Sequence, residues 1–168
     1  MTTSRVLESY CVFIEALLKE GALRIALRSS IALPDVCSAL ENAELQGSRD
    51  QYIAWCAEWL TCDDVNRSKA IDGARLYRLY SGRLRLDRSR GNPDSPTDVA
   101  LSYFRRARRA RRVRGLARSL VWQPMNSLQA FQIRLSEALV DASRRWYGQR
   151  GAASATVQRN LGRLVVTG

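Results

Sequence analysis

Fourteen residues from Arg105 to Arg118, RRARRARRVRGLAR, hold eight arginines in a triplet repeated three times: RRA, RRA, RRV. No acidic residue lies between Asp98 and Glu137 to neutralise them. Guanidinium offers a planar fork of donors that fits phosphate and stacks on bases, whereas ammonium acts as a point charge. Arginine outnumbers lysine 25 to 2 in this chain. The chemistry available to such a run is polyanion binding. Arg105, Arg106, Arg108, Arg109, Arg111, Arg112, Arg114 and Arg118 are therefore the candidate phosphate contacts.

On a helix these arginines fall at about 0, 40, 100, 180, 220, 240, 300 and 340° around the axis. They encircle it, and the seam of Ala107, Ala110, Val113 and Ala117 is narrow. A helix polar all round packs poorly on a core, and like charges three and four apart weaken it further. Such a segment settles best against an anion. The run resembles the arginine-rich RNA-binding motif, a helix that enters a widened groove and meets phosphates on several sides. Tyr103, Phe104 and Trp122 flank it and offer stacking surfaces, with core packing the commoner use of the first two. A bulky apolar face, which lipid binding would need, is missing. The bland alternative is a solvated charged helix produced by codon bias.

Charge is uneven along the rest of the chain. Residues 1–72 carry seven basic and eleven acidic side chains, a net of −4; residues 73–168 carry twenty and five, a net of +15. Such asymmetry points to a nucleic-acid or anionic-membrane partner for the positive half. The 168 residues suit one domain, and 46% hydrophobic with 26% charged residues suits a globular one. Histidine is absent, which removes Ser–His and Cys–His pairs and histidine zinc sites. Cys11, Cys37, Cys56 and Cys62 form no C-x-x-C and read as buried thiols of a reducing cytoplasm. Glu8, Glu15 and Glu20 interrupt the first apolar stretch, so no signal peptide is expected, and no window approaches a membrane span.

The elements that would position the run are helical. Val6, Tyr10, Phe13, Ile14, Leu17 and Leu18 form one face of a helix over 4–20, stopped at Gly21. A short helix fits 22–30, and Pro34 opens the next. After a loop over 42–47, Ser48 and Gln51 make a capping box for a helix bearing Tyr52, Ile53, Cys56, Trp59 and Leu60. Leu76, Leu79 and Tyr80 suggest a helix after Asp72, weakened by Gly82. Ser89–Pro96, SRGNPDSP, is the linker; Ser95, Pro96 and Asp98 then start a helix leading into the arginine run. Leu128, Phe131, Leu135, Leu139, Ala142 and Trp146 mark a long helix after Ser127, ended by Gly148 and Gly151, and a last helix starts from Ser154. The expectation is an all-α bundle of six to seven helices: residues 1–88, the linker 89–96, and residues 97–168 completing the same domain. Residues 119–122 could add a short strand.

Three pieces, LPDVCSALE (33–41), YIAWCAEWL (52–60) and LYRLYSGRLRLD (76–87), resemble a group of uncharacterised small helical bacterial proteins, as does VQRNLGRLV (157–165). In that group the third piece carries an arginine, four intervening residues and a histidine. This is similar to the motif of HEPN-superfamily ribonucleases, in which two protomers pair their motifs to cleave RNA without metal. Here the two positions hold Tyr80 and Arg85. The resemblance thus implies a dimeric relative that is catalytically inert or has replaced its chemistry. Residues 88–123 do not share it. Arg78, Arg83 and Arg85 could still bind phosphate.

Asp63, Asp64 and Asp72 could ligate magnesium, but carboxylates before a helix usually serve as caps and loop solvators. Glu58, between two tryptophans, reads as an exposed charge. No Walker loop, G-x-G-x-x-G or H-E-x-x-H occurs. The leading expectation is a cytoplasmic, non-enzymatic nucleic-acid-binding protein, RNA ahead of DNA, without cofactor or metal. The alternatives are a HEPN-like ribonuclease relative acting as a homodimer, and a module whose basic helix docks an acidic protein.

Overall fold

In a computed structural model, residues 4–60, 72–88 and 127–166 are described, and all of their regular structure is helical. The linker, the helix leading into the arginine run, the run itself and the strand considered at 119–122 lie outside the described residues.

Helix α1, Ser4–Lys19, buries Val6, Leu7, Tyr10, Cys11 and Ile14 along one face. It stops at Gly21, whose φ of 74° is the left-handed conformation a helix end needs and glycine adopts most readily. The N–H of Ala22 donates to the carbonyl of Leu17 at 2.9 Å and that of Gly21 to Leu18 at 3.1 Å, the paired bonds of a Schellman ending. Helix α2, Leu23–Ser30, follows, and two residues later α3, Leu33–Glu41, begins.

Helix α3 is the axis of the bundle. Every residue from Ser30 to Leu40 is buried, because neighbours cover α3 on all sides. It packs against α4 (Arg49–Trp59), α6 (Ser127–Trp146) and α7 (Ala155–Val166). The capping box of α4 is present in full: Ser48 Oγ accepts from Gln51 N at 3.2 Å, and Gln51 Oε1 accepts from Ser48 N at 3.0 Å. Asn160 of α7 donates to the carbonyls of Leu40 (3.0 Å) and Asn42 (2.7 Å), satisfying groups that the end of α3 leaves open.

Helix α5, Gly73–Arg88, runs past Gly82 without a break. The carboxylate of Asp72 accepts from Arg75 N at 2.7 Å and caps its start. Among the described elements α5 packs mainly on α4. A β-carbon on Gly73 would come within 3.0 Å of Cys56 Cβ and 3.2 Å of Ile53 Cα, so glycine permits this close crossing. Leu76 and Tyr80 are buried as their spacing suggests, but Leu79 is 47% exposed. It sits three residues from Leu76 yet on the flank turned away from α4.

The long helix α6 ends differently from expectation. Gly148 does not stop it; Tyr147–Gly151 continue as a π-helical turn, closed by Ala152 N donating to Tyr147 O at 2.7 Å. Only beyond Gly151 does the chain turn, and Ser154 Oγ then caps α7 through Val157 N at 3.3 Å. One hydrophobic cluster joins residues of α1 to α7, with Trp146 fully buried within it. No described helix is long and apolar enough to cross a membrane.

The loop between α3 and α4 lies directly on a buried carboxyl. Asp35 is 2% exposed, and a β-carbon on Gly47 would fall inside the van der Waals shell of Asp35 Oδ1. Gly47→Ala should therefore destabilise the fold by about 1–3 kcal/mol, the usual cost of overpacking. A lowered urea midpoint with an unchanged slope is the expected result; an unchanged midpoint would contradict this contact.

Candidate nucleic-acid interface

Of the arginines expected to meet phosphate, the described residues include three, all on α5. Arg78 is exposed, and no described carboxylate lies within ion-pair distance of it. The helix carries Arg85 seven residues on, two turns along the same face, while Arg83 sits about 140° away. Arg105, Arg106, Arg108, Arg109, Arg111, Arg112, Arg114 and Arg118 lie outside the described residues, as do Tyr103, Phe104, Trp122, Asp63 and Asp64.

The face of α5 is fixed from inside. The hydroxyl of Tyr80 donates to Asp35 Oδ2 at 2.6 Å, across forty-five residues of chain. Tyr80 also stacks on Tyr52, with centroids 5.4 Å apart and planes 15° apart, and Tyr77 meets both rings edge-on. Tyr52 in turn donates to Ile31 O at 2.8 Å. Burial pushes the phenol of Tyr80 far up, and the neighbouring Asp35 adds to the shift, so Tyr80 stays a neutral donor. The position at which the HEPN-like resemblance would put its arginine is thus a core tyrosine. The other position, Arg85, is at the far end of the helix.

Elsewhere in the positive half, four described arginines have partners within the bundle. Arg144 of α6 bridges two carboxylates of α1, at 2.6 Å to Glu8 Oε1 and 2.5 Å to Glu15 Oε1. Arg150, in the π-helical turn, pairs with Glu58 and reaches Glu41 at 3.4 Å, with its guanidinium 5.4 Å from the Trp59 ring centre. Arg145 donates to Trp59 O at 2.9 Å and Arg163 to Ala43 O at 3.3 Å. Glu58 is the exposed charge expected, and it also pairs with Arg150. Part of the charge asymmetry along the chain is internal attraction between acidic and basic halves.

Among the described residues, other sites for chemistry are poor. A cleft of about 730 Å³ lies between the start of α1 and the end of α6, lined by Arg5, Leu7, Glu8, Ser9, Arg144, Tyr147 and Gly148. Its central guanidinium, Arg144, is held by glutamates. Burial pushes the thiols of Cys11 and Cys56 up to about 12 and that of Cys37 well above its usual range, which makes them weak nucleophiles. Among the described residues no cluster of His, Cys, Asp or Glu could hold a metal, and Asp72 serves as a cap. Comparison with protein-family models, curated proteins and solved structures gave no match.

The Arg144 clamp makes stability depend on pH. Its hydrogen bond holds the Glu15 carboxyl below the ordinary 4.5, outweighing the opposing effect of burial. A depressed folded pKa stabilises above the unfolded value and is lost as pH falls through the folded one. Arg144→Gln should therefore lower Tm at pH 7 but much less at pH 3. Equal losses at both pH values would contradict the pairing.

Proposed function

We propose that this protein binds nucleic acid, RNA in preference to DNA, through the arginines of Arg105–Arg118, with Arg78, Arg83 and Arg85 extending the contact. One observation carries the reading. Residues 89–126 hold nine basic and two acidic side chains, a net of +7 out of the chain's +11. Outside that stretch the chain holds eighteen basic and fourteen acidic side chains, a net of +4, and Arg144 and Arg150 there pair with Glu8, Glu15, Glu41 and Glu58. Most of the net charge is therefore concentrated in one stretch of sequence that follows α5 and precedes α6. Arginine-rich segments of this kind order themselves on RNA, where phosphates surround them and bases stack on guanidinium planes. RNA is favoured over DNA on the motif's likeness to arginine-rich RNA-binding helices.

Binding supplied by five to eight phosphate contacts should weaken with salt, log K falling against log[salt] with a slope of about −4 to −7. Replacing Arg105, Arg106, Arg108, Arg109, Arg111, Arg112 and Arg114 by glutamine should abolish salt-dependent RNA retention while leaving the helical circular dichroism of the bundle unchanged. A slope shallower than about −2 would contradict the proposal. Cleavage of labelled RNA in chelator would instead favour the HEPN-like ribonuclease alternative. Tight binding to an acidic protein, with none to nucleic acid, would favour the docking module.

A further inference from the structure

We propose that the cavity between α3, α4 and the π-helical turn binds a small primary ammonium ion with an oxygen acceptor on the adjacent carbon, the chemistry of an amino-acid amide or an amino alcohol. The site is separate from the arginine run and does not rest on the nucleic-acid reading.

The cavity holds about 130 Å³, and its walls include Ser38 and Glu41 of α3, Gln51, Trp55 and Glu58 of α4, and Arg150. Trp55 carries the observation that points to a ligand. It is 3% exposed, and its buried indole N–H meets no acceptor among the described residues. A buried donor without a partner is costly, and one on the wall of a cavity is accounted for when the cavity takes up an acceptor.

The two walls differ in hydrogen-bonding character. On α4, Trp55 offers its N–H, and Gln51 offers its amide N–H groups, because its Oε1 is committed to Ser48 N. On α3, Ser38 spends its proton on Asp35 O at 3.1 Å and keeps its lone pairs. Glu41 receives Trp146 Nε1 at 2.7 Å and Arg150 at 3.4 Å on Oε1, which leaves Oε2 to accept. A fitting ligand accepts at the α4 wall and donates at the α3 wall. Charge selects further, since Glu41 and Glu58 against Arg150 leave one negative charge that a monocation balances. Size sets the last limit: a cavity of about 150 Å³ is known to hold benzene, so about six non-hydrogen atoms is the most that fits.

Arg150 acts as the latch. Its side chain is 45% exposed and ties the two walls together, at 3.1 Å to Glu58 Oε2 and 3.4 Å to Glu41 Oε1. Exposed ion pairs are weak, so this side chain can swing aside and open the buried N–H to a ligand. An entering ammonium takes over the longer contact, on Glu41, while Arg150 keeps Glu58. The latch rides on a π-helical turn, an irregularity that recurs at functional sites.

The test titrates the nitrogen-15-labelled full chain with glycinamide and follows the indole N–H resonances; the one missing from Trp55→Phe belongs to Trp55. That resonance should move with a Kd of about 0.1–1 mM, in keeping with so few ligand atoms. Glu41→Gln, whose amide oxygen still accepts from Trp146, should weaken binding by about five- to tenfold. Glu20→Gln, exposed and outside the cavity, should leave it unchanged. Ethylammonium, which lacks the oxygen, and acetamide, which lacks the charge, should each bind at least about tenfold more weakly. Calorimetry on wild type and Glu41→Gln reads the same loss if Trp55→Phe does not fold. A Trp55 resonance unmoved by glycinamide at about ten times the expected Kd would overturn the proposal, leaving a cavity that holds water only. Equal affinity for ethylammonium, or an unchanged Kd in Glu41→Gln, would overturn it as well.

Discussion

A buried carboxyl organises this bundle. Asp35 lies in the helix that every neighbour covers, and an interior carboxyl without hydrogen bonds would cost several kcal/mol. Tyr80 meets that need from α5, and Gly47 lets the α3–α4 loop lie against the same group. The consequence reaches the surface. Because Tyr80 must point inward to Asp35, the register of α5 is set, and Arg78, Leu79 and Gly82 must point out. The outer face of α5 is thus decided by a hydrogen bond in the core.

Charge is arranged on two levels. The acidic first half and basic second half attract each other across the bundle through Arg144 and Arg150, each shared between two glutamates. Exposed pairs of this kind contribute little individually. Residues 89–126, with nine basic and two acidic side chains, hold most of the chain's net charge, and this is why the proposed partner is a polyanion.

Much of the fold was legible because local rules dominate it. The capping box at Ser48, the stop at Gly21, the start after Asp72 and the cap at Ser154 all follow from residue type and spacing. What escaped depends on contacts between distant residues. Nothing near Tyr80 in the chain announces Asp35, forty-five residues away, and the π-helical turn at Tyr147–Gly151 has no short-range signature. Glu58 is exposed as its position suggests, but its partner Arg150 is ninety-two residues off. Leu79 fitted an apolar pattern, and only the direction of Tyr80 puts it outside. For the site, the eight arginines of 105–118 lie outside the described residues, and the exposure of Arg78 on α5 follows from the inward direction of Tyr80, which residue spacing alone does not announce.

Hydrogen exchange with and without an RNA hairpin tests the central claim most directly. Binding through the basic stretch and the outer face of α5 should slow exchange in peptides covering 78–88 and 105–118. Peptides from α7, which carries none of the proposed contact residues, should exchange at the same rate in both states. Protection confined to α1, α2 or α7, or no protection anywhere under conditions where RNA is bound, would contradict the account.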